Sequence, residues 1–231
     1  MLLSILVPVY NEERLVAGTF KELLAVEFPC ETEIVAVDDG SRDRSWELMR
    51  SFQDDSRVRL VRHDRNRGKG AAIRTAVREA SGEYVVVFDA DGEYECEDLL
   101  KLLAPVLDGK AEVVYGSRTF GSHSAYSFWY VMGNRGITLA ANILFNSYIS
   151  DLETCYKLLP RQLYRDLNIR STGFGMEAEL TAKLLKRGIR PFEVPISYTA
   201  RSREEGKKIT WTDGVQALWL LGRERFRRSK G

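Results

Sequence analysis

Five short apolar runs recur along the first half of the chain, and each breaks off at a polar corner. Residues 2–9, LLSILVPV, end at Pro8, Tyr10, Asn11, Glu12 and Glu13, after which helical spacing runs to about residue 28. Residues 33–37 end in Asp38, Asp39, Gly40 and Ser41, and Ser41 is a helix-capping residue type ahead of Trp46, Leu48, Met49 and Phe52. Residues 58–61 lead through Asn66, Arg67, Gly68, Lys69 and Gly70 into an Ala-rich helix that ends near residue 80. Residues 84–88, YVVVF, are apolar without alternation, which predicts a strand buried on both faces. They stop at Asp89, Ala90, Asp91 and Gly92, and a helix over 99–107 follows. A fifth run, 112–116, ends at Ser117 and Arg118.

Strands alternating with helices predict an α/β fold, a mostly parallel sheet with right-handed crossovers. Such sheets bind ligands at the carboxyl ends of their strands. Here that edge collects Glu12, Asp39, Lys69, Asp89, Asp91 and Arg118. Asp89 and Asp91, two apart, leave an extended backbone on one side and suit a hard divalent cation, Mg²⁺ or Mn²⁺, whose other ligands are phosphate oxygens and water. A lone D-x-D is more often a pair of solvated turn aspartates. The convergence of the other corners outweighs that reading. Gly68-Lys69-Gly70 opens a helix after a strand, but Ile73 stands where a dinucleotide fingerprint needs a small residue, and no P-loop pattern occurs. Lys69 is then either a nucleotide contact or part of a tight loop.

Composition narrows the classes. With 231 residues and 44% apolar content, the chain can bury the core of one large domain, 1–231. A net charge of +1 supplies no field for nucleic acid. Cys30, Cys96 and Cys155 lie far apart with no zinc spacing, which fits a reducing cytoplasm. No apolar run approaches the ~18 residues of a spanning helix, so a soluble or peripheral protein is expected.

VPVYNEE at 7–13, DDGS at 38–41, NRGKGAA at 66–72, DADGE at 89–93 and GSR at 116–118 resemble the ordered motifs of family 2 glycosyltransferases of the GT-A, Rossmann-like fold. DLETCYK at 151–157, GFGMEAEL at 173–180 and PISYTARSREEGKKI at 195–209 extend the resemblance over essentially the whole chain, toward the branch that glycosylates polyprenyl phosphates, similar to dolichol-phosphate mannose synthases. The resemblance implies a nucleotide-sugar half, 1–118, and an acceptor-side half, 119–231. It places Pro8, Tyr10, Glu12, Val37 and Asp39 around base and ribose. Asp89, Ala90 and Asp91 go to the diphosphate, and Asp89, Asp91 and Glu93 to the metal. The same resemblance assigns catalytic electrostatics to Asp91, Arg118, Arg201 and Lys207, the last two on a loop folding over the donor. The chain departs from the pattern where relatives carry Gln and this one Glu93, and where an Arg and a Ser that hold the acceptor phosphate are matched by Tyr130 and Asn134, with Arg135 adjacent. The membrane-spanning helices of many relatives have no counterpart.

Residues 122–150 carry Tyr126, Phe128, Trp129, Tyr130, Val131 and Met132, then Ile137, Leu139, Ile143, Leu144 and Phe145 at helical spacing. They read either as a core-facing helix pair or as amphipathic helices at a membrane surface. The C-terminal Val215, Leu218, Trp219, Leu220 and Leu221 precede a basic run, 223–231, in which each cation contributes ~1 kcal/mol near an anionic leaflet. Basic residues at a helix end are also the ordinary choice. The expected location is cytoplasmic, peripheral at the membrane face. His63 and His123 sit in no catalytic motif.

What the resemblance implies chemically is a metal-dependent, inverting transfer of mannose or glucose from GDP-mannose or UDP-glucose. A polyprenyl or dolichyl phosphate is already an anion near neutral pH and needs no base. A hydroxyl acceptor would need one, from Asp151, Glu177 or Glu179, although these acids also suit helix N-termini. Two other readings compete. A nucleotidyltransferase would carry a Gly-rich basic loop after its first strand, where this chain has YNEE. A non-catalytic sugar-nucleotide-binding or membrane scaffold would not require Asp89, Asp91, Arg201 and Lys207 together.

Overall fold

The computed structural model describes residues 1–121, 127–173, 175–200 and 211–227. Among them, the strands β1 (Leu2–Val9), β2 (Glu31–Asp38), β3 (Val58–Arg62), β4 (Tyr84–Val87), β5 (Val114–Ser117), β6 (Lys157–Pro160) and β7 (Phe192–Pro195) form one sheet in the order β3-β2-β1-β4-β6-β5-β7. β1 runs parallel to β2 and β4, β2 parallel to β3, and β5 parallel to β7. β6 is antiparallel to both neighbours, β4 and β5. This is the α/β, mostly parallel architecture that the alternating pattern predicts. β6 and β7 are additions to it, and through them the second half of the chain completes the sheet begun by the first.

The helices are α1 (Val16–Ala25), α2 (Ser45–Arg50), α3 (Lys69–Glu79), α4 (Asp98–Leu107), α5 (Phe128–Phe145), α6 (Arg161–Leu167), α7 (Met176–Lys186) and α8 (Trp211–Phe226). One face of the sheet, with Leu3, Ile5, Val7, Val86 and Phe88, packs on Phe20 of α1, Met49 of α2 and Leu99 and Leu102 of α4. The other, with Leu6, Val35, Val37, Val85 and Val87, packs on Ala72, Ile73 and Ala76 of α3, Tyr164 of α6 and Leu180 of α7. Both faces of β4 are therefore covered, which is why its sequence does not alternate. A third cluster, with Ile137, Ala141, Ala178, Ala182, Ala217 and Leu221, ties α5, α7 and α8 together.

Two details differ from expectation. The first helix ends at Ala25 rather than near residue 28. Where a helix pair was one reading of 122–150, the described part holds a single helix of 18 residues, α5, that runs straight through Gly133 and Gly136.

Topology places the site. After β3 the chain returns to the far side of β1 to build β4, which opens a crevice at the carboxyl ends of β1 and β4. Because β6 runs backwards, the segment 151–156 that precedes it arrives at the same edge.

Candidate active site

The first two corners hold each other. Asn11 adopts φ 53°, in the left-handed region that Asn tolerates. The backbone N–H groups of Asn11, Glu12 and Glu13 donate to Ser41 Oγ (3.0 Å), Ser45 Oγ (2.8 Å) and Asp43 Oδ2 (3.1 Å), and Arg42 N–H donates back to Asn11 Oδ1 (2.9 Å). Pro8 and Val37 are register partners one step before these corners. Pro8, Tyr10, Glu12, Val37 and Asp39 thus lie together at the ends of β1 and β2.

Asp39 is buried and occupied. Its Oδ1 accepts from Arg67 N–H (3.0 Å), its Oδ2 from Gly68 N–H (2.8 Å), and His63 Nδ1 lies 2.7 Å from Oδ1. His63 is buried as well, with Nε2 3.0 Å from Thr75 Oγ1. Sequence reasoning set His63 aside because it sought a motif around it. The signal was in the register: Asp38 pairs with Arg62, so residue 63 follows beside residue 39.

The third corner explains its glycines. Gly68 has φ +90°, and a Cβ there would stand 2.3 Å from Thr172 O; one on Gly70 would stand 2.3 Å from Ser171 O. Gly70 N–H donates to Thr172 O at 2.7 Å. These glycines admit the backbone of 171–172 against the start of α3, so the loop is a packing device rather than a phosphate cradle. Lys69 between them turns toward the fourth corner. Its Nζ donates to Asp89 Oδ2 at 2.7 Å and to Cys155 Sγ at 3.1 Å, and lies 3.1 Å from Glu177 Oε1. Burial works against the ammonium, but Asp89, Cys155 and Glu177 hold its pKa well above the ordinary lysine value.

At the end of β4, Ala90 is sealed in the core while Asp89 and Asp91 on either side are partly exposed. Asp91 Oδ1 accepts from Glu93 N–H (3.1 Å), and Tyr198 OH donates to Glu93 Oε2 (2.7 Å). Burial, then the charges of Asp89 and Glu93, push the Asp91 carboxyl up to about 7.

The corner after β5 is organised by one buried ion pair. Arg118 grips Asp151 with Nε to Oδ2 (2.7 Å), Nη2 to Oδ1 (2.8 Å) and its backbone N–H to Oδ2 (3.2 Å), while its guanidinium lies over the Tyr198 ring, 4.9 Å from the centroid. Asn134 of α5 donates to Asp151 Oδ1 (3.1 Å). Burial opposes the Asp151 charge, but Arg118 prevails and holds its carboxyl below the usual range. Glu179 is equally occupied, accepting from Arg170 N–H, Ser171 N–H and Oγ, and Lys183 Nζ. Glu177 differs. It is buried, and neither carboxyl oxygen accepts a hydrogen bond among the described residues. Nearby Glu153, which the sequence reading passed over, also has a buried, unbonded Oε1, and burial followed by the charge of Glu177 pushes it up to about 7. Of the three candidate bases, Asp151 and Glu179 are held by several hydrogen bonds each, whereas Glu177 has the Lys69 ion pair and no hydrogen bond among the described residues. Arg201, Lys207 and His123 lie outside the described residues.

The sequence matches the profile of the glycosyl transferase family 2 over residues 4–167. The chain belongs to that family. Glycosyltransferase AglJ of Haloferax volcanii is 29% identical over 227 residues, covering 98% of this chain and 71% of the relative. A dolichol-phosphate mannosyltransferase of Pyrococcus furiosus is 26% identical over 211 residues, covering 90% of this chain and 59% of the relative. In structure, glucosyl-3-phosphoglycerate synthase of Mycobacterium tuberculosis, in complex with Mn²⁺, UDP and glucosyl-3-phosphoglycerate, superposes with a TM-score of 0.72 at 18% identity over 99% of this chain and 81% of that one. The fold is GT-A, and the protein is a glycosyltransferase.

A family 2 glycosyltransferase of this fold implies a divalent cation. The described residues contain no ready-made group of three metal-ligating side chains. They nevertheless fit a cation of the kind that takes two carboxylates and fills its shell with phosphate oxygens and water. Burial first, and then the neighbouring charges of Asp89 and Glu93, disfavour the Asp91 carboxylate, and a cation held between Asp89 and Asp91 would offset the second of these.

Two helices beside the site show apolar faces to solvent. Ile137, Thr138 and Ala141 of α5 face the core, whereas Phe128, Trp129 (79% exposed), Met132, Leu139 and Ile143 (72%) do not. The neighbouring α8 buries Ala217, Leu220 and Leu221 and exposes Val215, Leu218, Trp219 (60%) and Phe226, followed by Arg223, Arg225 and Arg227 along its last turns. α5 therefore faces the core along one side, as a single helix rather than a pair, and carries exposed apolar side chains along the other. Among the described residues no helix is long and apolar enough to cross a membrane.

Proposed function

We propose that this glycosyltransferase moves a hexose, mannose or glucose, from a nucleoside-diphosphate sugar to a polyprenyl or dolichyl phosphate at a membrane face, with inversion at the anomeric carbon. The observation that carries it is the crowding of Asp89, Asp91 and Glu93 at the carboxyl edge of β4, beside the corners of β1 and β2. The names of relatives support it, the Pyrococcus protein being a dolichol-phosphate mannosyltransferase and the Mycobacterium structure holding Mn²⁺ and UDP.

Asp89 and Asp91 would hold Mg²⁺ or Mn²⁺, which supplies charge neutralisation for the departing diphosphate. The chain's own part is positional. Pro8, Tyr10, Glu12, Val37 and Asp39 seat base and ribose, Asp39 through a loop it fixes with His63. Ala90, rooted in the core, sets the spacing of the two aspartates. Arg201 and Lys207 bring positive charge to the leaving diphosphate, which the carboxylates alone would repel. Arg118 keeps Asp151 and α5 in register, so that the acceptor approaches opposite the leaving group. A phosphate acceptor attacks without a base. The apolar faces of α5 and α8, with the arginines of α8, lie against the cytoplasmic face of the bilayer that contains the acceptor.

A hydroxyl acceptor is the second reading, favoured by the unbonded carboxyl oxygens of Glu177 and Glu153. The deciding experiment supplies GDP-mannose or UDP-glucose with dolichyl phosphate in detergent and follows formation of the glycosyl phospholipid by mass spectrometry. Product in wild type and in Glu177→Gln supports a phosphate acceptor. Product only with alcohols, lost in Glu177→Gln while the donor still binds, supports the hydroxyl reading.

A further inference from the structure

Lys69, which the sequence leaves open as a nucleotide contact or part of a tight loop, sits where the corner after β4 meets the start of α7. Its side chain is nearly buried, bonded to Asp89 and beside Glu177. Two facts about its surroundings matter together. Its Cα is fixed, because Gly68 and Gly70 clamp the start of α3 onto residues 171–172. Glu177, in the first turn of α7, is buried with both oxygens unbonded and one of them 3.1 Å from the ammonium.

We infer that Lys69 is a positioning residue of the cation site, whose ammonium occupies Asp89 when no divalent cation is present and passes to Glu177 when one binds. The inference rests on the reading of Asp89 and Asp91 as cation ligands. An ammonium at 2.7 Å on Asp89 Oδ2 and a divalent cation on the same carboxylate repel each other at short range in a poorly solvated site. One of them must leave. An ammonium has three donors and a flexible stem, so it can release Asp89 by rotation of its last bonds. Glu177 is the acceptor in reach: it already pairs with the ammonium at 3.1 Å without accepting a hydrogen bond, so a small rotation completes the transfer. Cys155 Sγ accepts a further hydrogen bond from the ammonium at 3.1 Å. The arrangement keeps Asp89 oriented without a metal and keeps the net charge of the cluster from swinging by a whole unit when Lys69 moves.

The test measures free Mn²⁺ by electron paramagnetic resonance over wild type, Lys69→Met, Glu177→Gln and the double variant, without nucleotide. Lys69→Met, relieved of the competitor, binds Mn²⁺ about tenfold tighter than wild type. Glu177→Gln removes the receiving position, leaves Lys69 on Asp89 and binds Mn²⁺ several-fold more weakly. In the Lys69→Met background the Glu177→Gln change has little effect, since its action passes through the lysine. Lys69→Met with unchanged or weaker affinity overturns the inference, as does an equal loss from Glu177→Gln in both backgrounds, which would make Glu177 a plain through-space charge. Should Lys69→Met fail to fold, Lys69→Gln carries the same expectation. Wild type that takes up no Mn²⁺, with or without a nucleoside diphosphate, overturns the cation reading itself and this inference with it.

Discussion

Replacing Asp151 with Asn separates a structural role from a chemical one. The substitution keeps size and shape but removes the charge that holds Arg118. The pair is almost dry, with side-chain exposures of 14% for Arg118 and 1% for Asp151, and three of its hydrogen bonds come from Arg118 alone. Breaking a buried pair from one side strands the other charge and costs about 3–5 kcal/mol, a large share of the ~5–15 kcal/mol that typically separates folded from unfolded domains. With a urea slope of about 3 kcal/mol per molar, the upper end of the usual range that a larger chain approaches, the midpoint should fall by roughly 1–2 M. The pH dependence fixes the sign. Asp151 titrates lower in the folded chain than in the unfolded one, so its contribution is complete above the unfolded value of ~3.9 and disappears as pH falls through the folded value. The gap between wild type and variant should be flat across neutral pH and narrow only in acid. Equilibrium urea unfolding by tryptophan fluorescence at several pH values reads all of this. A loss under ~1 kcal/mol at neutral pH, or lost turnover with unchanged stability, would refute the reasoning and return Asp151 to the substrate.

The other predictions concern separate parts of the molecule. Gly68→Ala adds a Cβ 2.3 Å from Thr172 O at φ +90° and should cost upward of ~2 kcal/mol in thermal unfolding; an unchanged midpoint would mean the loop is not clamped. Glu153 titrates higher in the folded chain, at about 7, so the stability it confers is full below the unfolded value and is lost as pH rises toward that folded value. Glu153→Gln, which lacks this loss, should gain on wild type by something of order 2 kcal/mol between about pH 5 and pH 8 in urea unfolding, and a constant difference would contradict the assignment. Trp129→Ser combined with Trp219→Ser should reduce co-sedimentation with phosphatidylcholine–phosphatidylglycerol vesicles while leaving donor affinity unchanged. Undiminished sedimentation would remove the membrane role from these faces.

Much of the fold is legible in the sequence because the first half obeys simple periodicities. β1, β4 and the middle of β2 are largely apolar runs since the sheet is covered on both sides, and the corners turn polar where the chain leaves that cover at the carboxyl edge. β6 and β7 are not legible in the same way. Each has four residues, KLLP and FEVP, and the antiparallel insertion of β6 between β4 and β5 is a tertiary outcome with no local signature. α5 passes through two glycines that weaken a local reading but do not break a helix already anchored by Ile137 and Ala141. At the site, the aspartates of the fourth corner were readable from spacing and resemblance. The roles of His63, Lys69 and Glu153 were not, because each depends on a partner distant in sequence: Asp39, Asp89 and Glu177.

The central claim is that Asp89 and Asp91 bind a nucleoside-diphosphate sugar through a divalent cation. Calorimetric titration of wild type and Asp91→Asn with GDP-mannose and with UDP-glucose, each in Mn²⁺ and in EDTA, tests it directly. The account predicts that wild type binds one of the two donors only with Mn²⁺, and that Asp91→Asn loses this binding while its melting temperature shows an intact fold. Equal donor affinity in EDTA, or undiminished Mn²⁺-dependent affinity in Asp91→Asn, would contradict it.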